Sequence, residues 1–288
     1  MQVTGFADGK PLFESQRKSI AYSCNQVKCL VGWTGLAVIE GHNTGDWLHQ
    51  QLSALSREDP PVQVLIESLT NSATFQVAML PKTDKRCEFS LAGWFTVPPD
   101  QYACFTSVIS NFEIYPWQLS PSYSAKFQYA LAAQNRRSRH PYHLSISGDE
   151  PTARELSLYT RGLRGLLQRR VSVEVISGAC RQIAAAVSVR QSEKKAKDPS
   201  YVKTVGDSQL TVEMNSDGSV RTFSSKDGLV TKSFPADIIS PELMTKDMKV
   251  DRAVDTDGTI RLHLRGWVKT NVAGVLISTS DSMSQRMP

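Results

Sequence analysis

Three residues near the front of the chain have the spacing of a metal site. His42, Asp46 and His49 stand at i, i+4 and i+7, so a continuous helix would carry two imidazoles and a carboxylate on one face. Gly41, Asn43 and Gly45 weaken helix at His42, and no further ligand is indicated, so no metal is expected. Other polar residues have plain readings on their own. Lys18 beside Arg17 reads as a surface lysine, and Gly35 as the glycine of a tight turn. Ser147, Gly148 and Asp149 read as a helix cap ahead of Pro151, and Asp207-Ser208 as a turn. There is no Gly-x-Ser-x-Gly elbow, Walker loop, Gly-x-Gly-x-x-Gly or Cys-x-x-Cys pair, which argues against nucleotide, redox and zinc chemistry. No cofactor is expected.

These residues need elements to position them. With 40% hydrophobic and 21% charged residues, a chain of 288 residues has the composition of a globular protein with a sizeable core. No apolar run is long enough to span a membrane, and the opening MQVTGFADGKPLFESQRK lacks the apolar core of an export signal. Five cysteines in no framework spacing read as reduced thiols, so a cytoplasmic protein without membrane contact is expected. Net charge is +5, with basic residues gathered at Arg136, Arg137, Arg139 and at Arg161, Arg164, Arg169, Arg170. No aromatic residues interleave them as a stacking platform, so nucleic acid is not expected. In the second group Arg161, Arg164 and Gln168 read as a polar helix face, first of all solvated, with an acidic partner or nucleic acid as the lesser alternative.

Periodicity sets out the elements. Lys28 to Trp33 reads as a buried strand, followed by a helix capped by Thr44 with Trp47, Leu48, Leu52 and Leu55 on one face. After Asp59-Pro60-Pro61 a second helix carries Val62, Ile66, Leu69 and Phe75, with Pro61 in its first turn. Strands are expected at 88–95, 102–113, 125–133 and 142–146, and helices at 151–168 and 173–190. The first of these helices would bury Leu156, Tyr159, Leu163 and Leu166, the second Val173, Ile176, Cys180, Ile183 and Val187. A polar linker, SEKKAKDPS, follows. Asp217-Gly218 then turns a hairpin between Leu210–Met214 and Val220–Phe223. A last strand pair, 260–267 and 272–277, follows Asp257-Gly258, and the tail DSMSQRMP is expected to be disordered. The class is α+β, with antiparallel strands between helix pairs.

That order of elements resembles the four-layer αββα sandwich of proteasome β-type subunits and their bacterial relatives, the N-terminal-nucleophile hydrolases. Met1-Gln2-Val3-Thr4-Gly5 is similar to the end of the family's Asp-Ser-Arg-x-Thr stretch, and Arg17-Lys18-Ser19-Ile20 occupies the place of its catalytic lysine. Gly32-Trp33-Thr34-Gly35-Leu36-Ala37 resembles the turn before its first helix, Ser147-Gly148 its Ser-Gly turn, and Asp207-Ser208 its Asp and Ser near the active site. The resemblance covers roughly residues 2–225 and implies a sandwich domain at 1–225, with 226–288 a strand-rich extension.

In that family one residue attacks the amide with its hydroxyl or thiol while its free α-amine takes the proton. A buried lysine tunes the site, and backbone N–H groups hold the oxyanion. The resemblance implies that Lys18 is that lysine, Gly35 supplies an oxyanion N–H, Ser147 and Asp207 border the site, and Thr4 lies near the substrate. It implies a homo-oligomer acting on peptide or amide substrates. The departure is at the start: Met1 and Gln2 carry no hydroxyl or thiol. The expectation is therefore a chain whose first strand and nucleophile lie upstream, inactive as it stands. The alternative is a non-catalytic structural or interaction protein of the same fold.

Overall fold

The computed structural model describes residues 2–7, 10–36, 38–39, 42–80, 85–97, 101–114, 118–119, 124, 126–134, 153–201, 208–214, 219–226, 228–234, 238–239, 249–254, 260–269 and 276–279. The chain divides into two compact units, Met1–Ile238 and Ile239–Pro288.

The first unit opens with β1 (Gln2–Ala7) and β2 (Lys10–Arg17), an antiparallel hairpin. No hairpin was expected there from the sequence, only a likeness of Met1–Gly5 to the end of the family's Asp-Ser-Arg-x-Thr stretch. A second hairpin follows, β3 (Ser19–Ser23) and β4 (Val27–Gly35). In β4 Val27, Cys29, Val31 and Trp33 are buried at every second position, which is the signature of a strand with one face in the core. Two short strands, β5 (Val38–Ile39) and β6 (His42–Asn43), lead into α1 (Thr44–Glu58) and α2 (Val62–Ala78). The chain then returns as β7 (Cys87–Val97), β8 (Gln101–Ser110), the short pair β9 (Glu113–Ile114) and β10 (Gln118–Leu119), and β11 (Gln128–Gln134).

The α1–α2 pair packs on the sheet through Trp47, which meets Phe89 at 5.6 Å between ring centroids, while Phe89 meets Phe127 at 6.0 Å. Leu48, Leu52, Leu65, Ile66 and Leu69 fill the space between helices and sheet. The cap of α1 is Asn43, not Thr44: its Oδ1 accepts from the N–H groups of Gly45 and Asp46. Likewise Pro61 stands just ahead of α2 rather than inside its first turn. Phe75 is not on the buried face of α2 and is 72% exposed. Leu69 is followed on that face by Ala73 and Val77, four and eight residues on, and Phe75 lies between them on the far side.

At the other end of α1, Asp59 takes a left-handed conformation (φ 48°) and clasps the β3–β4 turn. Its carboxylate accepts from Asn25 Nδ2 and Gln26 N, both at 3.1 Å, and its carbonyl accepts from Gln26 Nε2 at 2.6 Å.

Two longer helices follow, α3 (Ala153–Gln168) and α4 (Val173–Lys197). The polar stretch read as a linker continues α4 as far as Lys197, and Lys194, Lys195 and Lys197 sit in its last turn, where cations suit the negative end of the helix dipole. The buried residues of α4 are mostly small or polar: Ser177, Ala185, Val187, Ser188 and Gln191. Of the expected apolar face only Val187 is fully buried, and Val173 and Cys180 are exposed.

Then come β12 (Ser208–Met214), β13 (Val220–Lys226) and β14 (Leu229–Phe234), a three-stranded antiparallel sheet with Met214 opposite Val220, and β15 (Ile238–Ile239). The expected turn at Asp217-Gly218 lies outside the described residues. The α4 helix packs against this sheet: Arg181 lies over the Phe223 ring at 5.0 Å, and Arg221 pairs with Glu174 at 2.9 Å and Glu213 at 2.8 Å.

The main sheet has the order β11-β8-β7-β4-β3-β15. The pairs β3/β4, β4/β7, β7/β8 and β8/β11 are all antiparallel. The second unit holds β16 (Lys249–Val254), β17 (Ile260–Lys269) and β18 (Leu276–Thr279), also antiparallel. Its last pair joins Lys269 to Leu276, beyond the ends expected from the sequence, and β16 adds a strand the sequence reading missed. The fold is thus mixed α+β with antiparallel sheets. The strand expected at 142–146 and the tail from 281 lie outside the described residues. No described helix is long and apolar enough to cross a membrane.

Candidate functional site

Lys18 is the one residue between β2 and β3, in phase with the inward-facing Ile20 and Tyr22, and it is 4% exposed. A lysine is rarely buried so completely without a partner charge. Among the described residues no hydrogen bond or ion pair reaches its ammonium. Burial disfavours the charged form and lowers its pKa to about 8, with the nearby Cys87 thiol acting in the opposite sense. The amine therefore titrates close to neutral pH, in the range where a side chain can give and take a proton.

Cys87 begins β7, and burial pushes its thiol up to about 12, with Lys18 opposing. It is a protonated thiol at neutral pH, not a thiolate nucleophile. Asn111 fixes this strand end: its Oδ1 accepts from Cys87 N at 2.9 Å, and its Nδ2 donates to Lys85 O at 2.8 Å.

Gly35 ends β4 directly opposite Cys87. Its φ is 83°, and a Cβ there would collide with the Arg86 carbonyl, so glycine is required by the backbone alone. The next N–H, that of Leu36, is already spent on Arg86 O at 2.9 Å.

The register of the first hairpin matters here. Gln2 stands opposite Arg17, so the head of β1 adjoins the residue immediately before Lys18. Thr4 lies in β1 where the register shifts between Val3 and Gly5. Ser147 and Asp207 lie outside the described residues.

The other face of the same sheet end carries a polar row that sequence reading missed. Thr34, Glu88 and Ser110 are registered partners on adjacent strands, with Gly32 and Ser90 in the next row. Glu88 is 0% exposed, Ser110 is buried, and Ser90 Oγ donates to Glu88 Oε1 at 3.3 Å. The alternation Glu88, Ser90, Ala92 was visible, but such a face normally meets water, and nothing local in the sequence says that it is covered.

His42 and Thr44 make contact, Nε2 to Oγ1 at 3.1 Å, which invites comparison with a base–hydroxyl pair. The Thr44 hydroxyl, however, gives its proton to Leu36 O at 2.9 Å. His42 Nε2–H must then be the donor, leaving Nδ1 to accept from Gln76 Nε2 at 3.4 Å. Burial lowers the His42 pKa and keeps the ring neutral. This pair ties β6 to α1 and leaves the hydroxyl unactivated. His42 also precedes the helix, so the spacing with Asp46 and His49 does not form one helical face.

No family model, curated protein or solved structure matches the chain.

Proposed function

We propose that the first unit is a four-layer αββα sandwich of the N-terminal-nucleophile type, with an amide- or peptide-binding site where Lys18 and Gly35 lie. The observation that carries this is the register placing Gln2 opposite Arg17, which brings the head of β1 beside a buried lysine of lowered pKa. Burial of residues on both faces of the main sheet supports the layering. The α1–α2 pair lies on one face, and on the other Ala21, Glu88, Val108 and Ser110 are covered too. β12 touches both β1 and β4.

In this reading the attacking position is the head of β1 rather than upstream as the sequence suggested. A hydroxyl or thiol there attacks an amide carbonyl, its own α-amine takes the proton and passes it to the departing amine, and water later releases the acyl group as the acid. Lys18 supplies a tunable positive charge, and the backbone at Gly35 faces the developing oxyanion. Thr4, Ser147 and Asp207 keep the places the family resemblance gives them. Met1 and Gln2 carry no hydroxyl or thiol, so neither is an attacking group. Assembly into a homo-oligomer and a cytoplasmic setting belong to the same reading. A second reading, a non-catalytic interaction protein of this fold, is favoured by the lack of any carboxylate acting on Lys18 among the described residues.

The test is to build the missing nucleophile. In Gln2→Thr, removal of Met1 by the host aminopeptidase exposes a threonine with a free α-amine. The wild-type chain should not hydrolyse fluorogenic peptide amides, Gln2→Thr should turn them over, and Gln2→Thr with Lys18→Met should not. Wild-type turnover that survives Lys18→Met, or a Gln2→Thr chain that neither turns over nor is labelled by a threonine-directed β-lactone, would reject the hydrolase plan.

A further inference from the structure

The outer face of α3 joins features that work against the stability of the helix. Between Ser157 and Ser172 the sequence has four arginines and no acidic residue. Arg161, Arg164, Arg169 and Arg170 are all exposed. Among the described residues no carboxylate pairs with any of them, although Arg169 Nε donates to the Gly165 carbonyl at 3.2 Å. Leu158, 55% exposed, stands in line with Gly162 and Gly165 at i, i+4 and i+7. Arg161 and Arg164 flank that line on one side, and Arg169 closes it.

The two glycines cost the helix about 1 kcal/mol each relative to alanine. Among the described residues a Cβ at either position would meet nothing within 4 Å, so no described contact requires their smallness. At the end of the helix the choice is reversed. Arg170 has a φ of 52°, the left-handed position usually given to glycine. Glycine stands where alanine would stabilise, and arginine where glycine would. Both choices leave a flat, strongly basic surface facing outward.

We propose that this face is a docking site for an acidic amphipathic helix of a partner protein. The spacing of Leu158, Gly162 and Gly165 is that of a helix–helix seam. Glycines in a seam let two backbones approach closely, and bulky apolar residues of the partner fill the room they leave. The flanking arginines select glutamates or aspartates along the partner's edges. A nucleic-acid backbone would use the arginines but has no use for an apolar line of leucine and glycines, and no aromatic residue offers base stacking on this face.

The probe is a fluorescein-labelled synthetic peptide about three heptads long, with leucine at its seam positions and glutamate at its edges. Its anisotropy is followed as full-length protein is added. Saturable binding is expected, weakened about tenfold or more by Arg161→Glu with Arg164→Glu and unaffected by Lys194→Glu with Lys195→Glu. The separating variant is Gly162→Gln with Gly165→Gln. It should melt at a higher temperature than wild type, because it improves helix propensity, and yet bind the peptide about tenfold more weakly. The proposal is overturned if the peptide does not bind, or if a version with lysine edges binds equally well. It is also overturned if the glycine variant binds like wild type, or if duplex DNA binds more tightly than the peptide. The DNA result would make phosphate the ligand of the arginines.

Discussion

A lysine ammonium that loses its water on folding must be offset by another charge or weaken the fold. Lys18 has a pKa of about 8 against an ordinary 10.5, a cost of roughly 3 kcal/mol at 1.36 kcal/mol per pH unit. The sign follows from which state holds the proton more tightly. Below pH 8 both states are charged and the folded state bears the whole cost. Between 8 and 10.5 the folded state has released its proton and the unfolded state has not, so the cost falls as pH rises. Lys18→Met, which keeps most of the side-chain volume, should therefore stabilise the wild-type chain at pH 7 by about 1 to 3 kcal/mol. The gain should vanish as the pH passes 10.5. Denaturant unfolding across that range measures it. A loss of stability at pH 7 would mean that the ammonium has a strong partner in the fold.

At the scale of elements, the α1–α2 pair shows how a helix reads when only one face is committed. The buried face of α2 runs through Val62, Leu65, Ile66, Leu69, Ala73 and Val77, and the large Phe75 is left outside. Leu69→Ala should cost about 3 kcal/mol by opening a cavity against the sheet. Phe75→Gln should change stability by no more than about 0.5 kcal/mol. Chemical denaturation of the two variants decides between this packing and the one expected from side-chain size alone. If Phe75→Gln proves the costlier of the two, the phase of α2 on the sheet is wrong. The α4 helix makes a related point. Its buried face is built of serine, alanine, glutamine and a single valine, and its ties to the neighbouring sheet include Arg221 to Glu174 and Arg181 over Phe223.

At the scale of the first unit, the main sheet is covered on both faces at the Lys18 end, and amide exchange should record this. The slowest amides should be those of β4 and β7, at Cys29, Val31, Phe89 and Leu91, all buried in strands with neighbours on both sides. The amides of β14, an edge strand bearing exposed Leu229 and Val230, should exchange much sooner. Hydrogen–deuterium exchange resolved by residue tests this. Equal protection of β14 and β7 would show that β14 is not an unpaired edge strand. The same covering buries Lys18 on one face of the sheet and Glu88 and Ser110 on the other.

Much of the framework was legible from local pattern. Strand-like runs marked β4 and β7, an apolar stripe marked α1, and Asp217-Gly218 stood between what proved to be paired strands. These are interactions between near neighbours, and their spacing is written in the residues. Helix ends were less legible, because Asn43 and Thr44 are both good caps and only the backbone conformation chose Asn43. The lysines after Gln191 looked like a linker because polarity was mistaken for loss of structure, whereas the end of a helix favours them. What the sequence could not supply was long-range covering. Whether Lys18 is a surface lysine or a buried one, and whether Glu88 meets water, depends on layers contributed from far along the chain. Burial is a property of those layers together, and no spacing within one strand records it.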